Sequence, residues 1–110
     1  MIKILVISGS QQKKGAGVKA TEIFMSKFDS AEYSFETVFL SDYDIGSCKG
    51  CTACFKKDKC IIKDDLSSII EKMKSSDGII FVTPIYAMNI SGALKTFIDR
   101  ISYMLHKPAL

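Results

Sequence analysis

Short apolar runs alternate with longer stretches whose apolar residues recur every three or four positions. This alternation restricts the fold more than any other feature of the chain. Residues 2–7 are nearly all apolar, rich in β-branched side chains, and stop at Ser8-Gly9-Ser10, the pattern of a strand buried on both faces. Residues 18–28 read as a helix with Ile23, Phe24 and Phe28 on one side, and residues 33–40 as a second strand. Asp64 or Asp65 can cap a helix in which Leu66, Ile69, Ile70 and Met73 fall at i, i+3, i+4 and i+7. Residues 79–82 form a third strand after Gly78, stopped by Thr83-Pro84. A last helix over residues 91–105 carries Leu94, Phe97, Ile98, Ile101 and Leu105 on one stripe.

Strand–helix units in this order imply a parallel sheet joined by right-handed crossovers. The expected fold is therefore an α/β three-layer sandwich with the flavodoxin-like strand order 2-1-3. Its crevice lies between the first and third strands, where such sheets bind a flavin. The loops at residues 9–17 and 83–89 would flank it. At 110 residues the chain is one small domain, yet only three strands are legible. Either the chain is a fragment, incomplete at its C-terminus, or another chain covers the bare edge of the third strand, and the isolated chain is not expected to be a soluble monomer.

Four cysteines, the whole complement of the chain, fall within thirteen residues as C-x2-C-x2-C-x5-C: Cys48, Cys51, Cys54 and Cys60. A disulfide framework spreads its cysteines to close longer loops, so this crowding speaks against one. Four thiolates on one short loop, set between the second strand and the following helix, can surround a single soft centre, an iron–sulfur cluster or zinc. The bacterial ferredoxin run C-x2-C-x2-C-x3-C-P matches three of the four positions. Structural zinc sites more often separate two C-x2-4-C pairs by a longer segment, and free thiols are the third reading. Redox chemistry leads.

Lys49, Lys56, Lys57, Lys59 and Lys63 collect around these cysteines. They are either a solvated face, or a positive surface that balances thiolate charge and attracts an acidic redox partner. The net charge of +3 and the lack of a basic face interleaved with aromatics give no reason to expect nucleic acid. The apolar run at the N-terminus is too short for a membrane span and unlike a cleavable signal. Clustered thiols then place the protein in the reducing cytoplasm. Lys95, Asp99 and Arg100 read as a solvated helix face, and His106 as a surface residue near the terminus.

Three segments, GSQQKKGAG, CKGCTACFKKDKCIIKDD and TPIYAMNISGALKTFIDR, resemble the NAD(P)H-dependent FMN reductases of flavodoxin-like fold. Within that group they are most similar to the iron–sulfur flavoproteins. The resemblance covers all 110 residues, as the N-terminal part of a longer domain. It implies FMN, a 4Fe–4S cluster on Cys48, Cys51, Cys54 and Cys60, assembly as a homodimer or tetramer, and ferredoxin or NAD(P)H as redox partner.

By position, the resemblance places Ser10, Gln12, Lys13, Gly15 and Gly17 at the FMN phosphate. Gln12 stands where the family has arginine, and Lys13 or Lys14 is expected to supply the charge. Pro84, Ile85, Tyr86, Ala87, Met88 and Asn89 fall in the loop that lines the isoalloxazine and ribityl side. Ala87 and Met88 are less bulky than the aromatics common there. The expected function is electron relay between FMN and the cluster. The rival readings are a cluster-free NAD(P)H-dependent FMN reductase and a non-catalytic zinc–thiolate interaction domain.

Overall fold

The computed structural model describes residues 1–57 and 59–105; the expectations for His106 and for the Leu105 side chain lie outside the described residues. In chain order the elements are β1 (Ile2–Ser8), α1 (Ala16–Met25), β2 (Tyr33–Phe39), α2 (Cys54–Lys57), α3 (Leu66–Lys74), β3 (Gly78–Val82), β4 (Ile85–Tyr86), β5 (Asn89–Ile90) and α4 (Gly92–Ile101). β1 is central and parallel to both neighbours, giving the order β2-β1-β3, with Ile7 opposite Val38 on one side and Phe81 on the other. This is the flavodoxin-like order.

Alternation along β1 divides the layers. Leu5 and Ile7 point to one face and join Val38 of β2 with Leu66, Ile69, Ile70 and Met73 of α3 and Leu94 and Phe97 of α4 in one buried cluster. Each such side chain contributes about 1.5–3 kcal/mol by leaving water. Val6 points the other way, towards α1. That layer is thinner. No residue of α1 is buried, Ile23 is 63% exposed, and a cavity of about 210 Å³ separates Val18, Thr21 and Met25 from Val6 and Phe39.

Several boundaries differ from the sequence expectation, each for a local reason. α1 ends at Met25 because the Ser26 hydroxyl donates to the Ile23 carbonyl and the Asp29 carboxylate accepts the Ala31 N–H, turning the chain into β2. Phe28 therefore leaves the helix and packs edge-on against Tyr33 and Phe35, with ring centroids 5.0 and 5.7 Å apart. At α3, Asp64 takes the Leu66 N–H at 3.1 Å, while Asp65 turns back to accept the Asp44 N–H at 2.6 Å. α4 tightens into a 3-10 turn at Ser102–Leu105.

Candidate functional site

Two constellations lie on α4, one at each end. At its N-terminus, Ser91 is 2% exposed and serves three groups. Its hydroxyl oxygen accepts the Leu94 N–H at 3.2 Å as the helix cap, its hydroxyl donates to the Gly9 carbonyl at 2.8 Å, and its own N–H donates to Thr83 Oγ1 at 3.0 Å. Gly9 also donates its N–H to Val82 O at 2.8 Å. A Cβ at Gly9 would meet Ser91 Oγ at 2.5 Å and Leu94 Cβ at 2.9 Å, so only glycine lets the chain pass there. These contacts tie the loop after β1 to the loop after β3 at the carboxyl ends of the strands, where an open α/β sheet forms its ligand crevice.

Within the first loop, Ser10 is buried and its hydroxyl closes a turn, donating to Gln12 O at 3.1 Å and accepting the Gln12 N–H at 3.0 Å. Gly15 precedes α1 with no side-chain cap, leaving the first amides of the helix to whatever lies beyond. Gly17 packs where a Cβ would touch Val82 Cγ1 at 3.4 Å. Lys13 extends towards β2, with Nζ 2.7 Å from Asp42 Oδ1 and 5.5 Å from the centre of the Phe39 ring. Both partners of that ion pair are about half exposed, so it holds Lys13 only weakly.

The second loop follows Pro84. It is a small hairpin in which Ile85 pairs with Ile90 and Tyr86 with Asn89. Ala87 and Met88 both adopt positive φ, 49° and 63°. A two-residue connection with both φ positive favours Asn-Gly, and each non-glycine residue there stores about 1–2 kcal/mol. Ile85, Tyr86 and Met88 are 68%, 50% and 96% exposed, presenting apolar surface beside the crevice. Two-residue strands carry no period, so the sequence held no sign of the hairpin beyond its Pro84 and Asn89.

At the other end of α4, all four cysteines line one cavity, whose wall includes Arg100 and Tyr103. None is in a disulfide; Cys48 and Cys51 are exposed, while Cys54 and Cys60 are half-buried against the core. Gly50 and Thr52 at φ 64° and 61° wind the segment between the first three, and Cys54 opens the short α2, which nothing in the residue pattern foretold. Four thiols on one cavity wall are a donor set that fits a thiophilic centre. They are spread around that wall: among the described residues no group of three Cys, His, Asp or Glu converges closely enough for one metal ion. A cluster that takes one thiolate per iron tolerates a wider spread than one tetrahedral ion.

Arg100 overturns the solvated-face expectation. Lys95 and Asp99 do pair on the surface, but Arg100 is 2% exposed. Its Nη1 donates to Asp64 Oδ2 at 2.7 Å and Gly46 O at 2.9 Å, its Nη2 to Asp64 Oδ1 at 3.1 Å, and its Nε to Cys60 Sγ at 3.2 Å. The guanidinium beside Asp64 holds that carboxyl down at about 2, helped by the amides of Gly46 and Leu66 and opposed by burial. Arg100 is pushed up in turn by Asp64. Burial pushes the Tyr103 hydroxyl up. Arg100 sits i+3 from Phe97, and that offset was the one local signal of its inward direction. Its partners lie 36 to 54 positions away, beyond any periodicity.

With this geometry in hand, the similarities fall into place. Residues 2–110 match the family model described as NADPH-dependent FMN reductase. The chain is similar to an iron-sulfur flavoprotein of Archaeoglobus fulgidus, 31% identical over 109 residues, covering 99% of this chain and 50% of that one. It is also similar to one of Methanosarcina thermophila, 38% identical over 102 residues, covering 90% and 52%. Among solved structures, the NAD(P)H:quinone oxidoreductase from Methanothermobacter marburgensis superposes with a TM-score of 0.74 at 14% identity, over 91% of this chain and 52% of that one, a likeness of fold. The chain spans about half the length of the curated relatives it matches. With nearly every residue inside the family model, the chain belongs to the NADPH-dependent FMN reductase family.

Proposed function

We propose that this chain forms the flavin- and thiolate-bearing part of an oxidoreductase, relaying electrons between FMN and a 4Fe–4S cluster. The observation that carries the reading is the assembly of all four cysteines on one cavity at the end of the helix whose other end builds the crevice. Ser91 and Arg100 are nine positions apart on that helix, about 14 Å at its axial rise. One rigid element would thus border both centres.

When bound, FMN exchanges electrons singly or in pairs and the cluster exchanges them singly, which couples a one-electron donor to a two-electron acceptor. The residues of the chain bind, orient and shield. The amides at the start of α1, with Gly15 and Gly17 allowing close approach, would hold the FMN phosphate, and Lys13 would swing from Asp42 to add charge. Pro84, Ile85, Tyr86, Ala87, Met88 and Asn89 would line the ring and ribityl side, and the exposed apolar tip would be covered by it. Cys48, Cys51, Cys54 and Cys60 would hold the cluster. Lys49, Lys56, Lys57, Lys59 and Lys63, all exposed, would steer an acidic partner such as a ferredoxin to the same end; NAD(P)H is the alternative donor. Assembly as a homodimer or tetramer is part of this reading; the outer edge of β3, unpaired among the described residues, and the half-exposed Phe81 are equally open to a second chain and to further strands of the same fold.

The spread of the thiols favours a second reading, a cluster-free NAD(P)H-dependent FMN reductase. Anaerobic purification separates the two. Brown protein containing iron, acid-labile sulfide and FMN supports the relay, yellow protein with flavin alone supports the second reading, and colourless protein containing zinc refutes both in favour of a structural thiolate domain.

A further inference from the structure

We propose that Arg100 is the positioning residue of the thiol site: locked by Asp64, it holds Cys60 at the cavity wall and donates to its sulfur, so that one ligand is fixed before any metal arrives. This deepens the reading of the four cysteines as a soft-centre site and rests on it.

The exposures and contacts differ among the four thiols in a way that calls for an anchor. Cys48 and Cys51 are exposed and lie on a segment wound by the positive φ of Gly50 and Thr52. Cys60 is half-buried, packed on the core, and receives the Nε–H of a side chain that is itself fully buried. Arg100 is the only arginine in the sequence, and it does what lysine cannot. One face of its fork takes the Asp64 carboxylate in bidentate fashion, Nη1 also reaches the Gly46 carbonyl ahead of Cys48, and Nε is left over for Cys60. Asp64 completes the frame by accepting the Gly46 and Leu66 amides at 3.0 and 3.1 Å. The two segments that flank the cysteine loop are thereby pinned to α4 by a single ion pair.

A structural staple alone would account for the Nη contacts. It does not account for a buried, charged N–H aimed at sulfur, which accepts poorly as a neutral thiol. A metal-bound thiolate accepts well, since charge assistance strengthens such bonds. Groups that orient metal ligands from behind commonly carry about 10- to 100-fold in metal affinity.

The test begins on the metal-free protein. With a single arginine, the Arg100 Nε–H resonance in a proton–nitrogen correlation spectrum is unambiguous. It is expected to move in Cys60→Ser and to stay in Cys48→Ser. No movement in Cys60→Ser overturns the contact and the proposal, without any need to alter Arg100 or risk its fold. The second arm loads the metal-free chain anaerobically with iron(II) and sulfide and follows thiolate-to-iron absorption as iron is added. Arg100→Lys is expected to need about 10- to 100-fold more iron for half-loading than wild type, with the exposed Lys95→Gln unchanged. Equal loading of wild type and Arg100→Lys overturns the proposal while leaving the thiol site standing. A wild type that takes up no thiolate-bound iron overturns the thiol site, and the proposal with it.

Discussion

Asp64→Asn is the sharpest probe of the frame around the cysteine loop. The side chain is 8% exposed and faces a guanidinium with no exposure at all, so solvent screens the pair little. Replacing the carboxylate leaves the Arg100 charge buried without its counter-ion. Losing one partner of a buried ion pair costs about 3–5 kcal/mol. The asparagine oxygen still accepts one of the amides or one Nη, which puts the expectation at about 3 kcal/mol, at the lower end. That is a large share of the roughly 5–15 kcal/mol that holds a domain of this size.

The pH dependence gives an independent check. Asp64 is a stronger acid in the folded chain, at about 2 against an ordinary 3.8. Its ionisation therefore favours folding, and the contribution is complete above the unfolded value near pH 4 and lost as pH falls through the folded value near 2. Each tenfold difference in acidity between the folded and unfolded chain is worth about 1.4 kcal/mol, so about 2 kcal/mol of stability disappears across that window. Urea unfolding of the metal-free chain, followed by circular dichroism from pH 7 to pH 2, should show the two proteins far apart at neutral pH and converging near pH 2. Curves that stay parallel, or a gap at pH 7 below about 1 kcal/mol, the range of a surface pair, would refute the reasoning.

Three further outcomes follow from the crevice and the lysines. Gly9→Ala, whose new methyl meets Ser91 Oγ at 2.5 Å, should lower stability by about 1–3 kcal/mol in thermal unfolding and weaken FMN binding; an unchanged midpoint would show that the loops are not drawn together there. The double change Ala87→Asn, Met88→Gly gives the hairpin the residues its positive φ angles favour and should raise stability by about 1 kcal/mol, read as a higher urea midpoint, with no gain contradicting the turn geometry. Replacing Lys49, Lys56, Lys57 and Lys59 with glutamine should lower the potential of a loaded cluster and slow reduction by an acidic partner, and no change in either would show them to be a solvated face.

The strand order and the deep core were legible because both follow from local patterns: β-branched runs bounded by Gly, Ser and Pro, and the helical spacing of Leu66, Ile69, Ile70 and Met73. The two crevice loops were legible for the same reason, as the places where those patterns break. What escaped was long-range. Arg100 sits among Lys95 and Asp99 in sequence and looks like them, but its environment is made by Gly46, Cys60 and Asp64, which only the tertiary structure supplies. The side-chain partner at α3 was ambiguous because Asp64 and Asp65 are chemically equal; contact with Arg100 and the Leu66 amide distinguishes them. The looseness of α1 was also hidden, since Ile23 and Phe24 have the composition of a buried face but lie 63% and 46% exposed.

The most direct measurement is iron and acid-labile sulfide per chain after anaerobic loading with iron, sulfide and FMN, compared between wild type and the variant with Cys48, Cys51, Cys54 and Cys60 all changed to serine. The expected result is about four of each in wild type, with FMN bound, and none in the variant. Equal iron in both proteins, or zinc in place of iron in the wild type, would contradict a thiolate-held redox centre in this fold.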